Sequence, residues 1–224
     1  MNYLAHAYRF LDSPLMVAGT ALPDWLSVVD RKVRLRTRRV VPMLDQLDEQ
    51  DRQVADGVLQ HLRDDDAFHN CPAFVMLEAE LSVRFRRVIP DPYDHRPPFL
   101  GHIVTELLLD AWLTEQCPEW LDRYYQILDD VCPNGLQRVV NRLASRETDR
   151  LASFVTQFLA ARVLYDYQDD QRLLTRLNQV LRRVTLPPLD EQCLSVLRDA
   201  RTIVWRHAEE MLAAVEAVEG IPQV

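Results

Sequence analysis

Two short stretches carry imidazole and carboxylate groups at the spacing of one helix face. In V-L-Q-H-L-R-D-D-D-A-F-H-N-C-P, His61, Asp65 and His69 stand at i, i+4 and i+8. In F-L-G-H-I-V-T-E-L-L-L-D-A-W-L, Phe99 to Leu113, the same spacing joins His102, Glu106 and Asp110, with Thr105 beside them. The second stretch is apolar around nearly its whole circumference, which marks a buried helix. His61 and Asp65 continue the apolar line of Val54 and Val58. Burying ionised carboxylates without partners costs several kcal/mol each, so such groups are neutralised, paired or bound to a cation. Nitrogen and oxygen donors without thiolates suit one or two divalent first-row ions (Mn, Fe or Zn) rather than a structural zinc site. Residues eight apart are separated by about 12 Å along a helix, so the ends of one triplet do not share an ion. Either one end of each triplet supports the other, or two ions lie about 3.5–4 Å apart. Each triplet alone also has an ordinary reading as hydrogen-bonded core residues, and the outer members of Asp64–Asp66 read as solvated.

The elements that must position these groups read as helices. Only five glycines occur among 224 residues, and no Asn-Gly or Asp-Gly turn separates alternating strands. Apolar residues recur at three and four, as in Leu173, Leu177, Val180, Leu181 and Val184. The pattern predicts helices near 2–11, 14–31, 46–70, 73–88, 97–115, 119–131, 135–143, 147–165, 169–184 and 190–217, with a proline-stiffened loop over 89–98. The expected fold class is all-α. No internal repeat or composition break divides the chain, so a single domain over 1–224 is expected.

Composition narrows the function classes. Apolar residues make up 48% and charged residues 27%, as in ordinary globular chains, which excludes disordered and fibrous classes. No apolar run approaches the roughly 18–20 residues of a membrane span. His6, Arg9 and Asp12 interrupt the N-terminal apolar stretch, so it does not read as a signal peptide, and a cytoplasmic location is expected. A net charge of −8 argues against general nucleic-acid binding. Cys71, Cys117, Cys132 and Cys193 form no C-x-x-C pair and read as buried apolar fillers. Against the negative total, R-K-V-R-L-R-T-R-R sets six cations together: Arg31, Lys32, Arg34, Arg36, Arg38 and Arg39.

Several motifs together resemble the acyl carrier protein phosphodiesterase family, relatives of the HD-domain metal phosphohydrolases. The opening M-N-Y-L-A-H is similar to that family's start, and G-T-A-L-P-D-W to its G-N-x-x-x-D-[FW] segment. H-L-R-D-D matches a H-x-R-x-D element through His61, Arg63 and Asp65, and Glu106 lies four before Asp110 where the family has D-H-x-L. Tyr167, Asp169 and Arg182 fall in a weaker C-terminal match. The resemblance covers most of the chain in the same order. Two positions depart from it: Ala111 stands where the family has His, and His69 where it has Asp. The departures are compatible with a ligand exchange using His69 or His102, with a changed substrate, or with lost activity.

The resemblance implies an HD-like multi-helix bundle that hydrolyses the phosphodiester joining 4′-phosphopantetheine to a carrier-protein serine. It implies His6, Asp24, His61, His69, His102, Glu106 and Asp110 as metal ligands and near neighbours, with Asp65, Arg63 and Glu106 in catalytic roles. His6 also reads as a core histidine, Asp24 as a first-turn helix acid, and Arg63 points away from the His61 face at i+2. The basic stretch would steer acyl carrier protein or another acidic or phosphorylated substrate, or form a solvated face. Two other readings stand beside this one: oxygen chemistry at a di-iron centre, and a non-catalytic carrier-protein-binding homologue. The oligomeric state has no signature in the sequence.

Overall fold

Prolines start helices in this chain more often than they break them. Pro14, Pro72, Pro118 and Pro133 each occupy the first helical position, where the missing N–H costs nothing. The structure is a computed structural model that describes residues 1–217; the last seven residues of the expected 1–224 domain lie outside the described residues. Among the described residues every regular element is helical. In order these are α1 (Tyr3–Ala7) with a 3-10 turn at Tyr8–Phe10, α2 (Pro14–Val29), α3 (Thr37–Val40) with a turn at Val41–Gln46, and α4 (Glu49–Asn70). There follow α5 (Pro72–Val88), α6 (Arg96–Gln116), α7 (Pro118–Asp129), α8 (Pro133–Leu143) and α9 (Leu151–Ala161). After a 3-10 turn at Val163–Gln168 come α10 (Asp170–Arg183) and α11 (Cys193–Glu216). No helix among the described residues is long and apolar enough to cross a membrane.

Several boundaries depart from the expected ones. The helix expected over 147–165 is shorter, because Thr148 is stitched to the Asn141 amide through both its N–H and its carbonyl. Its other end stops at Arg162, in the left-handed region at φ 47°. There the guanidinium lies over the Tyr125 ring at 4.6 Å and pairs with Asp129. The loop expected to run to residue 98 ends early, since Arg96 begins α6 and Pro97 and Pro98 fit its first turn. The helix expected over 2–11 is α1 followed by the Tyr8–Phe10 turn.

The described chain divides into two compact units. The first comprises Asn2–Asp65 and Cys117–Val163. Here α1, α2, α7 and α9 pack together, and α8 lies on α9. Phe158 is the aromatic hub, with ring centroids 4.8 Å from Tyr3, 5.5 Å from Trp25 and 6.2 Å from Tyr125. Replacing the fully buried Trp25 by Ala would cost about 3–5 kcal/mol. The helices α2 and α4 cross at Gly19 and Gly57, where a Cβ on either would meet the other's Cα within 3 Å.

The second unit comprises Met1, Asp66–Gln116 and the chain from Leu164 onward. It is built on α5, α6 and α11, with α10 against α11. As its sequence requires, α6 is buried almost all round, and Gly101 lets it sit against the Glu78 backbone of α5. Arg96 joins the two proline-rich breaks: it donates to the carbonyls of Pro187 (2.7 Å) and Pro188 (2.8 Å) and pairs with Asp94 at 2.6 Å.

Candidate metal centre

In the first unit, α4 supplies His61 and Asp65, adjacent because they are one helical turn apart, and α1 supplies His6. One donor atom from each of the three lies within 4.8 Å of the others. His6 Nε2 is 3.3 Å from Asp65 Oδ1, and His61 Nε2 is 3.2 Å from Asp65 Oδ2. The two imidazoles stack with centroids 4.0 Å apart. Both histidines are buried, while the Asp65 side chain is 32% exposed.

The other ring nitrogen of each histidine is already committed. His61 Nδ1 lies 2.8 Å from the Thr20 carbonyl oxygen, which can only accept, so Nδ1 carries the proton. Pro23 inside α2 cannot donate to the Gly19 carbonyl, which loosens the helix beside that oxygen. His6 Nδ1 lies 3.3 Å from Asp64 Oδ2. Burial pushes the Asp64 carboxyl up, but His6 and Arg9 outweigh it and hold the group below the usual carboxylate range. The ionised Asp64 therefore accepts from His6. Arg9 donates to Asp64 at 2.7 Å and Gln60 donates to its other oxygen at 2.7 Å. A ring whose Nδ1 is committed in this way is left Nε2 for a further partner, and both Nε2 atoms converge on the Asp65 carboxylate. His6 Nε2 is buried and makes no hydrogen bond. Such a set of acceptors asks for a positive centre: a proton on each Nε2, or one cation among them. Burial raises Asp65 too, and the His6 and His61 contacts overcome it, so this carboxyl lies far below its ordinary value and is available as an anionic ligand.

A second group lies in the second unit. His69, in the last turn of α4, and His102 and Glu106, one turn apart on α6, again offer donors within 4.8 Å of one another. Glu106 Oε1 is 3.0 Å from His69 Nε2, 3.3 Å from His102 Nε2 and 3.1 Å from the Met1 amine. Burial raises Glu106, but the Met1 ammonium, His102 and His69 together bring it far below the usual range. His102 is shifted up, chiefly by its hydrogen bond to Glu106, against the opposing effect of burial.

The two sequence triplets are thus divided. His61 and Asp65 work with His6, whereas His69 joins His102 and Glu106; Asp24 and Asp110 belong to neither group. His69 and His102 stand at the surface opening of their unit, not in its dry interior, because the stripe through His102 and Glu106 is the least covered side of α6. Asp110 is buried, and the neighbouring Ala111 offers its carbonyl to Gln168 at 2.8 Å. Arg63 is half-buried and donates to Gln60. Asp64 overturns its expected place as a solvated member of a charge run: it is buried behind His6. Its partners His6 and Arg9 are more than fifty positions away, so no local spacing pointed to it. Thr20, Gln60 and Arg9 were equally missed.

All six cations of the basic stretch are exposed, while Val33 and Leu35 between them and Val40 just after them are buried and pin the segment down. Arg31, Arg34, Val33 and Leu35 line a groove of ≈ 330 Å³ together with Pro23 and Leu26 of α2. The cysteines are all free, and only Cys71 and Cys193 are buried as expected. Cys117 is partly exposed and Cys132 exposed, each just before the proline that starts α7 or α8. No protein-family model matches the chain, and no curated protein or solved structure matches it.

Proposed function

We propose that the protein is a metal-dependent phosphodiesterase on an HD-like helical scaffold, acting on a phosphodiester carried by an acidic protein such as acyl carrier protein. The observation that carries the reading is the committed Nδ1 of both His6 and His61, which leaves the two Nε2 atoms facing Asp65. That donor set fits a divalent first-row ion, and the Asp64–His6 contact has the form of a carboxylate supporting a ligating imidazole. When bound, the ion supplies a water ionised near neutrality and positive charge beside the phosphoryl oxygens. The protein's own part is to fix that geometry. Thr20 and Asp64 hold the rings, while Arg9 and Gln60 hold Asp64. The exposed cations Arg31, Lys32, Arg34, Arg36, Arg38 and Arg39 supply the attraction for an acidic carrier. The resemblance of the H-x-R-x-D and G-x-x-x-x-D-W motifs supports the same substrate class. In the overall reaction water adds to phosphorus, and the serine oxygen leaves and takes up a proton.

The test uses full-length protein loaded with Mn(II) and supplied with holo carrier protein. Release of 4′-phosphopantetheine is expected, falling at least about 100-fold in His61→Ala and Asp65→Asn together with loss of bound metal. Arg34→Glu combined with Arg38→Glu should raise KM for the carrier protein and flatten its salt dependence, while hydrolysis of a small phosphodiester is unchanged. Metal-loaded protein that cleaves neither the carrier protein nor the small diester overturns the proposal.

A further inference from the structure

The His69, His102 and Glu106 group shares no residue with the proposed hydrolytic centre. Its rings are held in place before any ligand arrives. The two imidazoles stack at 4.9 Å with 21° between their planes, and the Phe74 ring meets both edge-on at 5.0 Å. Both Nε2 atoms point to the same oxygen, Glu106 Oε1. Behind His102, Glu78 of α5 places Oε2 3.6 Å from Nδ1, so a second carboxylate faces the far side of that ring. Two imidazoles and one carboxylate on one side, with the other side open, form the donor set of an ion that keeps exchangeable positions. The openness is real here: the side chains are 30%, 38% and 16% exposed.

We infer that His69, His102 and Glu106 form a second divalent-cation site, which takes a first-row ion on three protein ligands and leaves its outward positions to water or a phosphate oxygen. The Met1 amine lies on the same carboxylate oxygen, so ion and ammonium are rival counter-charges for Glu106. The inference does not rest on the phosphodiesterase reading.

The test is titration of chelator-treated full-length protein with Co(II), followed by calorimetric stoichiometry and the visible Co(II) spectrum. Wild type should bind two ions, His61→Ala one, and His102→Ala one. In His61→Ala, inorganic phosphate should perturb the remaining Co(II) spectrum. Glu106→Gln, nearly isosteric, should reproduce the loss seen in His102→Ala if that variant folds poorly by circular dichroism. One ion in wild type that is lost in His102→Ala but kept in His61→Ala upholds this site and removes the other. Stoichiometry and affinity that are unchanged in both His102→Ala and Glu106→Gln overturn it.

Discussion

His6 is gripped through both ring nitrogens by consecutive carboxylates, Nδ1 by Asp64 and Nε2 by Asp65. Neighbours on a helix are rotated by about 100°, yet here both reach one ring because α1 lies across that side of α4. The two acids do different jobs. Asp64 is buried and tied by Arg9 and Gln60, so it orients the ring; Asp65 is partly exposed and meets the Nε2 atoms of both His6 and His61, the place of a ligand. Asp64→Asn keeps the shape but weakens the anchor and its charge, and is expected to lower metal affinity about 10–100-fold. Competition against a chromophoric chelator measures this; an unchanged affinity would reduce Asp64 to a packing role. At this scale the sequence was legible only within single turns. The pairs His61/Asp65 and His102/Glu106 follow from spacing alone, whereas Asp64, Arg9 and Thr20 acquire their roles through contacts distant in sequence.

The crossing of α2 and α4 sets the distance that the Thr20–His61 hydrogen bond needs. Gly19 precedes Thr20 by one residue, and Gly57 precedes His61 by one turn. A methyl at Gly57 would overlap the Met16 carbonyl and crowd Thr20 N at 2.9 Å. Gly57→Ala gains about 1 kcal/mol of helix propensity but meets overpacking of about 1–3 kcal/mol against rigid backbone. A net loss of up to about 2 kcal/mol by urea denaturation is expected, with weakened metal binding. Gly135→Ala is the control: its nearest neighbour is the Cys132 side chain at 3.6 Å, so it should be neutral or slightly stabilising. The helices themselves were readable from apolar spacing and first-turn prolines. Their ends were not, where a side chain overrode the pattern: Asn141 holding Thr148 in a loop, and Arg162 stopping α9 in a left-handed turn. The division of each triplet between two groups was equally hidden, since spacing along one helix says nothing of what faces it.

Across the described residues, five carboxyls (Asp64, Asp65, Asp94, Glu106 and Glu119) are held below their ordinary values of 3.8 or 4.5. Stability rises with pH wherever the unfolded chain binds more protons than the folded one. Each of these groups therefore contributes fully above its ordinary value, and its contribution fades as pH falls toward the folded one. Metal-free protein should lose thermal stability progressively below about pH 4.5. Asp94→Asn should flatten that slope by removing a carboxylate whose depression comes chiefly from its hydrogen bond with Arg96. An identical Tm–pH profile for the variant would contradict the assignment. His102 has the opposite sign: its raised value favours the folded state on the acid side, and that contribution fades as pH climbs through it. A consequence of another kind follows from the first unit being assembled from Asn2–Asp65 and Cys117–Val163. On a ribosome adding ~5–20 residues per second, its second stretch follows the first by on the order of ten seconds. A nascent chain therefore presents His6, His61 and Asp65 to the cell's labile metal pool before the helices that bury α1 and α2 have been synthesised.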